Sequence, residues 1–186
     1  MIYRDTVKPE WVDYNGHLRD AFYTLIYSLA TDAFMDGIGL DDACRRARHR
    51  TLYTLEAHVS FLREIKEGVA VRVEMHVIAR DRKRIHLYLE MFEGEGDEPV
   101  SACEQMLMHI DSSGTPKAAS FDDDIAANID AQSVIAAQDA HYAGRVIGLP
   151  MRLRQRWHRR RPERAIGVTG ARSSRRSRWR TPSPRP

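Results

Sequence analysis

The chain has 186 residues, 42% hydrophobic and 30% charged, enough for one domain with a substantial core and short for two. Its net charge of +3 averages two unlike parts: thirteen of the 29 basic residues and one of the 26 acidic ones lie in residues 151–186, which leaves the first 150 residues at −9 and the tail at +12. That split excludes reading the chain as a nucleic-acid binder from its overall charge.

Residues 1–7 read as a short strand that ends before Pro9, because a residue preceding proline is disfavoured in helix. The following turn places a carboxylate, an amide, a glycine and an imidazole within five residues, Asp13-Tyr14-Asn15-Gly16-His17. A helix over residues 20–36 comes next. Phe22, Leu25, Ile26, Leu29 and Ala33 recur at helical spacing and predict its buried face, with Asp20 as N-cap and Gly37 and Gly39 as the stop. Residues 40–50 supply one or two charged helical turns. The period then changes: 51–63, 69–79, 84–92 and 100–110 are rich in β-branched, aromatic and alternating residues and predict four strands. Val69, Val71, Val73, Met75 and Val77 face the core in the second of these. In the third, Ile85, Leu87, Leu89 and Met91 do so, with His86, Tyr88 and Glu90 on a polar face. Turn signals separate the strands, so the meander is antiparallel. One long helix against such a sheet is buried all round only if the sheet wraps it. A weaker surface helix is predicted over residues 125–142. Residues 151–186 are dominated by Arg, Ser and Pro without apolar periodicity and predict disorder. The abruptness of the change also suits a frame change after about Pro150. The organisation expected is thus a domain over 1–115, a helical extension over 116–150 and a tail over 151–186.

Cys44 and Cys103 are far apart and in no CxxC pair, and His58, His76, His86 and His109 sit on strands with no metal spacing, so neither metal nor cofactor is expected. The N-terminus lacks the basic and apolar regions of a secretion signal, and no apolar run reaches the roughly 18 residues of a membrane span. A cytoplasmic protein with no membrane or nucleic-acid partner is expected.

The elbow ahead of the helix has the layout of an acyl-transfer site. Side chains able to act as base or nucleophile stand beside helix-start amides that no helical bond satisfies, and such amides stabilise charge developing on an acyl oxygen. The run from Pro9 to Tyr23, with its Val-Asp-Tyr-Asn-Gly-His core, resembles the hotdog-fold acyl-CoA thioesterases of the 4-hydroxybenzoyl-CoA thioesterase-like group. The similarity spans about residues 2–112. Thr54-Leu55-Glu56-Ala57-His58, Lys83-Arg84-Ile85-His86-Leu87 and Glu104 to Asp111 narrow it toward thioesterases of carnitine breakdown, for which the implied substrate is betainyl-CoA. The chain departs from the common pattern at Arg19-Asp20, where many relatives carry Asn-Asn.

The resemblance implies an α+β hotdog fold, an antiparallel sheet wrapped around one central helix. It also implies a homodimer or homotetramer with sites at the subunit boundary, and an acyl-CoA as substrate. Asp13 matches the family's catalytic carboxylate and would act as nucleophile or as base for a water; its other use is to cap a turn or helix. Asn15 would orient the water or carbonyl, Gly16 would let backbone approach the acyl oxygen, and His17 would transfer protons. Each is equally suited to a purely structural part in the turn. Glu56 or Glu64 would bring a second carboxylate across a dimer, with Glu56 favoured because it interrupts an apolar stretch. Trp11, Tyr14 and Tyr53 are candidates to hold a trimethylammonium group, and Arg63, Lys83 and Arg84, with Arg80 and Arg82, candidates for the phosphates of CoA. A hotdog hydratase or dehydratase and a noncatalytic acyl-CoA-binding module are the alternatives.

Overall fold

The alternating segments form strands because one side chain in two can be buried while its neighbour stays wet. In the computed structural model, which describes residues 1–147 as one unit, the chain begins with β1 (Ile2–Thr6) and a 3-10 turn at Pro9–Trp11. It continues through α1 (Asp20–Gly37), α2 (Asp42–Arg48), β2 (Arg50–Phe61), β3 (Ala70–Arg80), β4 (Arg84–Glu93), β5 (Pro99–Asp111), β6 (Lys117–Ala118) and α3 (Asp123–Asp130). The main strands lie in the order β1-β3-β4-β5-β2, all antiparallel, with short β6 joined to the end of β5. This is the expected α+β arrangement, a curled sheet on one long helix. The tail's predicted disorder and frame change lie outside the described residues.

Cross-strand rows such as Met75, Leu89 and Cys103 bring the buried face of the sheet against α1. The face that α1 turns inward is offset by one residue from the predicted one. Tyr23, Ile26, Tyr27, Ala30, Thr31 and Phe34 are buried, while Leu25 is exposed and Phe22, Leu29 and Ala33 are half-buried. Two of the three polar side chains on this face find partners. Tyr23 donates to the Arg63 carbonyl at 3.2 Å, and Thr31 donates toward both the Tyr27 carbonyl (2.8 Å) and Gln105 Oε1 (2.9 Å). Asp20 is not the N-cap: Arg19 holds that position in extended conformation, and Asp20, the first helical residue, accepts from the Ala21 amide at 2.8 Å. At the other end Gly39, at φ +88°, turns the chain out as its composition predicts.

The second face of β4 and β5 is not the open polar surface predicted. After α3 the backbone of residues 133–135 pairs with Val77 on β3, Val77 N–H to the Ser133 carbonyl at 2.9 Å and Ile135 N–H to the Val77 carbonyl at 3.2 Å. Those bonds use the groups a continuing helix would need, so the predicted helix over 125–142 stops at Asp130. The chain then crosses the sheet and buries Tyr88 and Ala102 beneath Ala140. Residues 116–147 are thereby packed into the same unit as the sheet. Arg48 with Asp122 and Asp124, and Arg80 with Asp130, fix α3 at its two ends.

Candidate active site

The elbow closes as a small hairpin, because an Asx side chain can stand in for a backbone acceptor in a turn. Val12 bridges Leu18, and Asp13 N–H donates to the His17 carbonyl at 2.9 Å. Asp13 Oδ1 accepts from Asn15 N–H at 2.8 Å and His17 N–H at 3.1 Å. Gly16 sits at φ +77°, the left-handed conformation that closes the turn, and its amide donates to the Asp13 carbonyl at 3.0 Å. The His17 amide, opposed in part by desolvation and aided by the Asn15 amide, holds the Asp13 carboxyl below its ordinary range, so it is ionised at neutral pH. Oδ1 is therefore engaged in the turn, while Oδ2 has no hydrogen-bond partner among the described residues.

The loop after β2 is laced to this elbow: Leu18 N–H donates to the Ile65 carbonyl at 2.8 Å and Glu67 N–H to the Gly16 carbonyl at 3.3 Å. It brings Glu64 Oε2 to 3.5 Å from His17 Nδ1. Between that loop and the head of α1 opens a cleft of about 290 Å³, lined by Leu18, Asp20, Tyr23, Phe61, Arg63 and Glu64 among others. Most amides of the elbow are already bonded, so the bare donor predicted at the helix start reduces to one in the cleft wall. Asp20 N–H has no partner among the described residues.

The other predicted residues are distributed as follows. Glu56 does not join Asp13 within the chain. A bulge between Thr54 and Glu56 shifts the alternation of β2 and sends Glu56 to the sheet face opposite α1. There it lines a separate cavity of about 650 Å³ with His58, His86, Glu104 and Arg145. In that cavity His86 Nε2 lies 2.6 Å from Glu104, whose second oxygen accepts from the Gly144 amide at 2.6 Å, an anchor for the crossing segment. Trp11 is buried, stacked on Phe22 with centroids 5.8 Å apart and with Lys8 Nζ 4.5 Å from its ring centre, so this ring is a packing element. Tyr14 at the elbow tip and Tyr53 on β2 are exposed. Arg63 is held by Glu98, at 3.0 Å to the carboxylate and 2.6 Å to the carbonyl. Arg84 is clamped by Asp81 at 2.8 and 2.6 Å, and Lys83 sits in the same hairpin turn, away from the elbow. Glu64 was the less favoured carboxylate from sequence, and Asp20, Tyr23 and Phe61 carried no site signal beyond their place around the elbow. Burial pushes the Cys103 thiol up to about 12, which removes it as a nucleophile at neutral pH. No group of three or more His, Cys, Asp or Glu able to hold a metal is found among the described residues.

A curled antiparallel sheet on one long helix defines a hotdog-fold protein. Residues 7–129 match the thioesterase-like superfamily, and the chain belongs to that family and is a thioester hydrolase. It is 44% identical over 155 residues to the betainyl-CoA thioesterase of Pseudomonas aeruginosa, covering 80% of this chain and 94% of that protein. Among solved structures, a thioesterase candidate from Pseudomonas putida superposes with a TM-score of 0.67 at 43% identity, over 81% of this chain and 97% of that one. A Staphylococcus aureus protein described as hypothetical, characterised in complex with CoA, superposes with a TM-score of 0.72 at 29% identity, over 80% and 94% of the two chains.

Proposed function

We propose that the chain hydrolyses a small acyl-CoA, betainyl-CoA in the first instance, at the elbow of α1, and does so as a homodimer or a dimer of dimers in the cytoplasm. The observation that carries the reading is the ionised Asp13 carboxylate, pinned through Oδ1 in the same turn as His17, which Glu64 approaches at the mouth of the cleft. The similarity to the Pseudomonas aeruginosa enzyme over nearly its whole length supports the substrate.

In this reading the thioester oxygen accepts from Asp20 N–H and Asp13 Oδ2 attacks the acyl carbon. A C–O bond forms, the C–S bond breaks, and the CoA sulfur takes a proton from His17. Water then attacks the mixed anhydride, His17 takes its proton, and the free acid and the Asp13 carboxylate separate. The Asp13 carboxyl is held below its ordinary range, so it is ionised at neutral pH and its free oxygen carries the charge that attack requires. One oxyanion donor contributes on the order of 3 kcal/mol to such a step.

The elbow lies beside the cleft rather than inside it, and a second chain would complete the enclosure. β2 is an edge strand with Tyr53 and Leu55 exposed on it, a surface suited to pairing with its own copy. There Tyr53, and Glu56 on the sheet face opposite α1, would meet the partner, while Arg63, Lys83 and Arg84 offer cations to CoA phosphates. Two unpaired cysteines fit a reducing compartment, and no described helix is long and apolar enough to cross a membrane. The test is release of free thiol over a panel of acyl-CoAs with the oligomer measured by light scattering. Binding of acyl-CoA without thiol release would make the chain a carrier module, and hydration of an enoyl-CoA would make it a hydratase.

A further inference from the structure

We propose that the cleft between α1 and the loop after β2 is the receptor for a quaternary-ammonium acyl group, with Asp20 and Glu64 supplying its charge and Phe61, braced by Tyr23, its ring wall. This deepens the acyl-CoA reading above and rests on it. A trimethylammonium head has no N–H to donate, so no single directional salt bridge can select it. Selection needs a diffuse negative field and the electron-rich faces of aromatic rings. The cleft has both. Tyr23 and Phe61 meet edge to face, centroids 5.2 Å apart and planes at 80°, so the buried Tyr23 ring braces the exposed Phe61 ring at the cleft. Tyr23 is locked in place by its bond to the Arg63 carbonyl, and Phe61 is 54% exposed, so its face is available. Asp20 and Glu64 line the same space. Arg63, the one cation lining it among the described residues, is paired with Glu98 at 3.0 Å. At about 290 Å³ the cleft has room for a small acyl group.

The aromatic residues singled out from sequence for this task are less suited. Trp11 already carries the Lys8 ammonium over its ring, and none of Trp11, Tyr14 and Tyr53 lines the cleft. The receptor also adjoins the chemistry, since Glu64 approaches His17 and Asp20 opens the helix whose first amide faces the acyl oxygen in the proposed mechanism.

The experiment compares betainyl-CoA with its neutral carbon isostere, 3,3-dimethylbutyryl-CoA, which has the same shape without the charge. The readout is the ratio of kcat/KM for the two esters in the wild type and in Asp20→Asn, Glu64→Gln and Phe61→Leu. The wild type should favour the cation by about tenfold or more, and each substitution should lower the ratio about three- to tenfold, chiefly through KM for the cationic ester. Raised ionic strength should shrink it as well. A residue with a merely structural part would slow both esters alike and leave the ratio unmoved. A wild-type ratio near one, or a ratio that none of the three variants changes, overturns the receptor while the hydrolase reading stands. Failure to release CoA from either ester overturns both.

Discussion

Gly16 can be separated into a turn residue and a site residue by adding one methyl group. Its φ of +77° is a conformation an L-alanine adopts at a cost of about 1–2 kcal/mol, partly offset by the stiffer unfolded chain, which returns about 0.4–1 kcal/mol. A Cβ built there meets nothing within 4 Å, so no steric clash adds to that cost. Gly16→Ala should therefore lose about 1 kcal/mol of stability, a drop of about 2–4 °C in Tm for a chain of this length. If the acyl group also approaches this backbone, the new methyl enters its path, and kcat/KM for betainyl-CoA should fall by more than about tenfold at a temperature where the variant is fully folded. Thermal and urea unfolding, with thiol release at 25 °C, separate the two effects. Unchanged kcat/KM with the expected loss of stability would refute close approach at Gly16, and a stability loss above about 3 kcal/mol would refute the reasoning from free space.

Three further outcomes follow from the packing. Thr31→Val keeps the shape but leaves Gln105 Oε1 without its donor in the core, and should cost about 1–3 kcal/mol in denaturant unfolding. Asp81 and Asp111 are each held at about 2, the first by the Lys83 amide and Arg84, the second by Ser113 and Arg50. Because both folded values lie below the unfolded one, their contribution is complete above about pH 4 and is lost as pH falls toward 2. The acid limb of stability against pH should flatten in Asp81→Asn/Asp111→Asn, and an unchanged limb would contradict the assignment. Removing residues 151–186 should leave Tm and turnover within error of the full chain, since the site and its supports lie earlier; loss of either gives the tail a working part.

The sheet was legible because Val71, Val73, Met75 and Val77, and Ile85, Leu87, Leu89 and Met91, keep strict alternation on strands whose turns are marked by Gly and Asp. The buried face of α1 was misread by one position. Tyr23, Tyr27 and Thr31 count as half-polar in a pattern but are buried here, two of them through hydrogen bonds made by residues far along the chain. The covering of Tyr88 was hidden for a similar reason, as it depends on residues 133–135 pairing with Val77. At the site, the local turn of Asp13, Asn15, Gly16 and His17 could be read because Asx-Gly chemistry is contained in five consecutive residues. The choice between Glu56 and Glu64 could not. It turns on a bulge at Leu55 that reverses which face Glu56 takes, and on a loop folding back to His17, and neither has a signature in side-chain order.

The proposal of an acyl-transfer elbow stands on Asp13. Asparagine at this position keeps an oxygen able to accept from the Asn15 and His17 amides, so Asp13→Asn should unfold within about 1 kcal/mol of the wild type while losing the charge and the attacking oxygen. In that folded variant kcat for CoA release from betainyl-CoA should fall by at least about a hundredfold. Turnover within a few-fold of wild type, in a variant with intact unfolding behaviour, would contradict it.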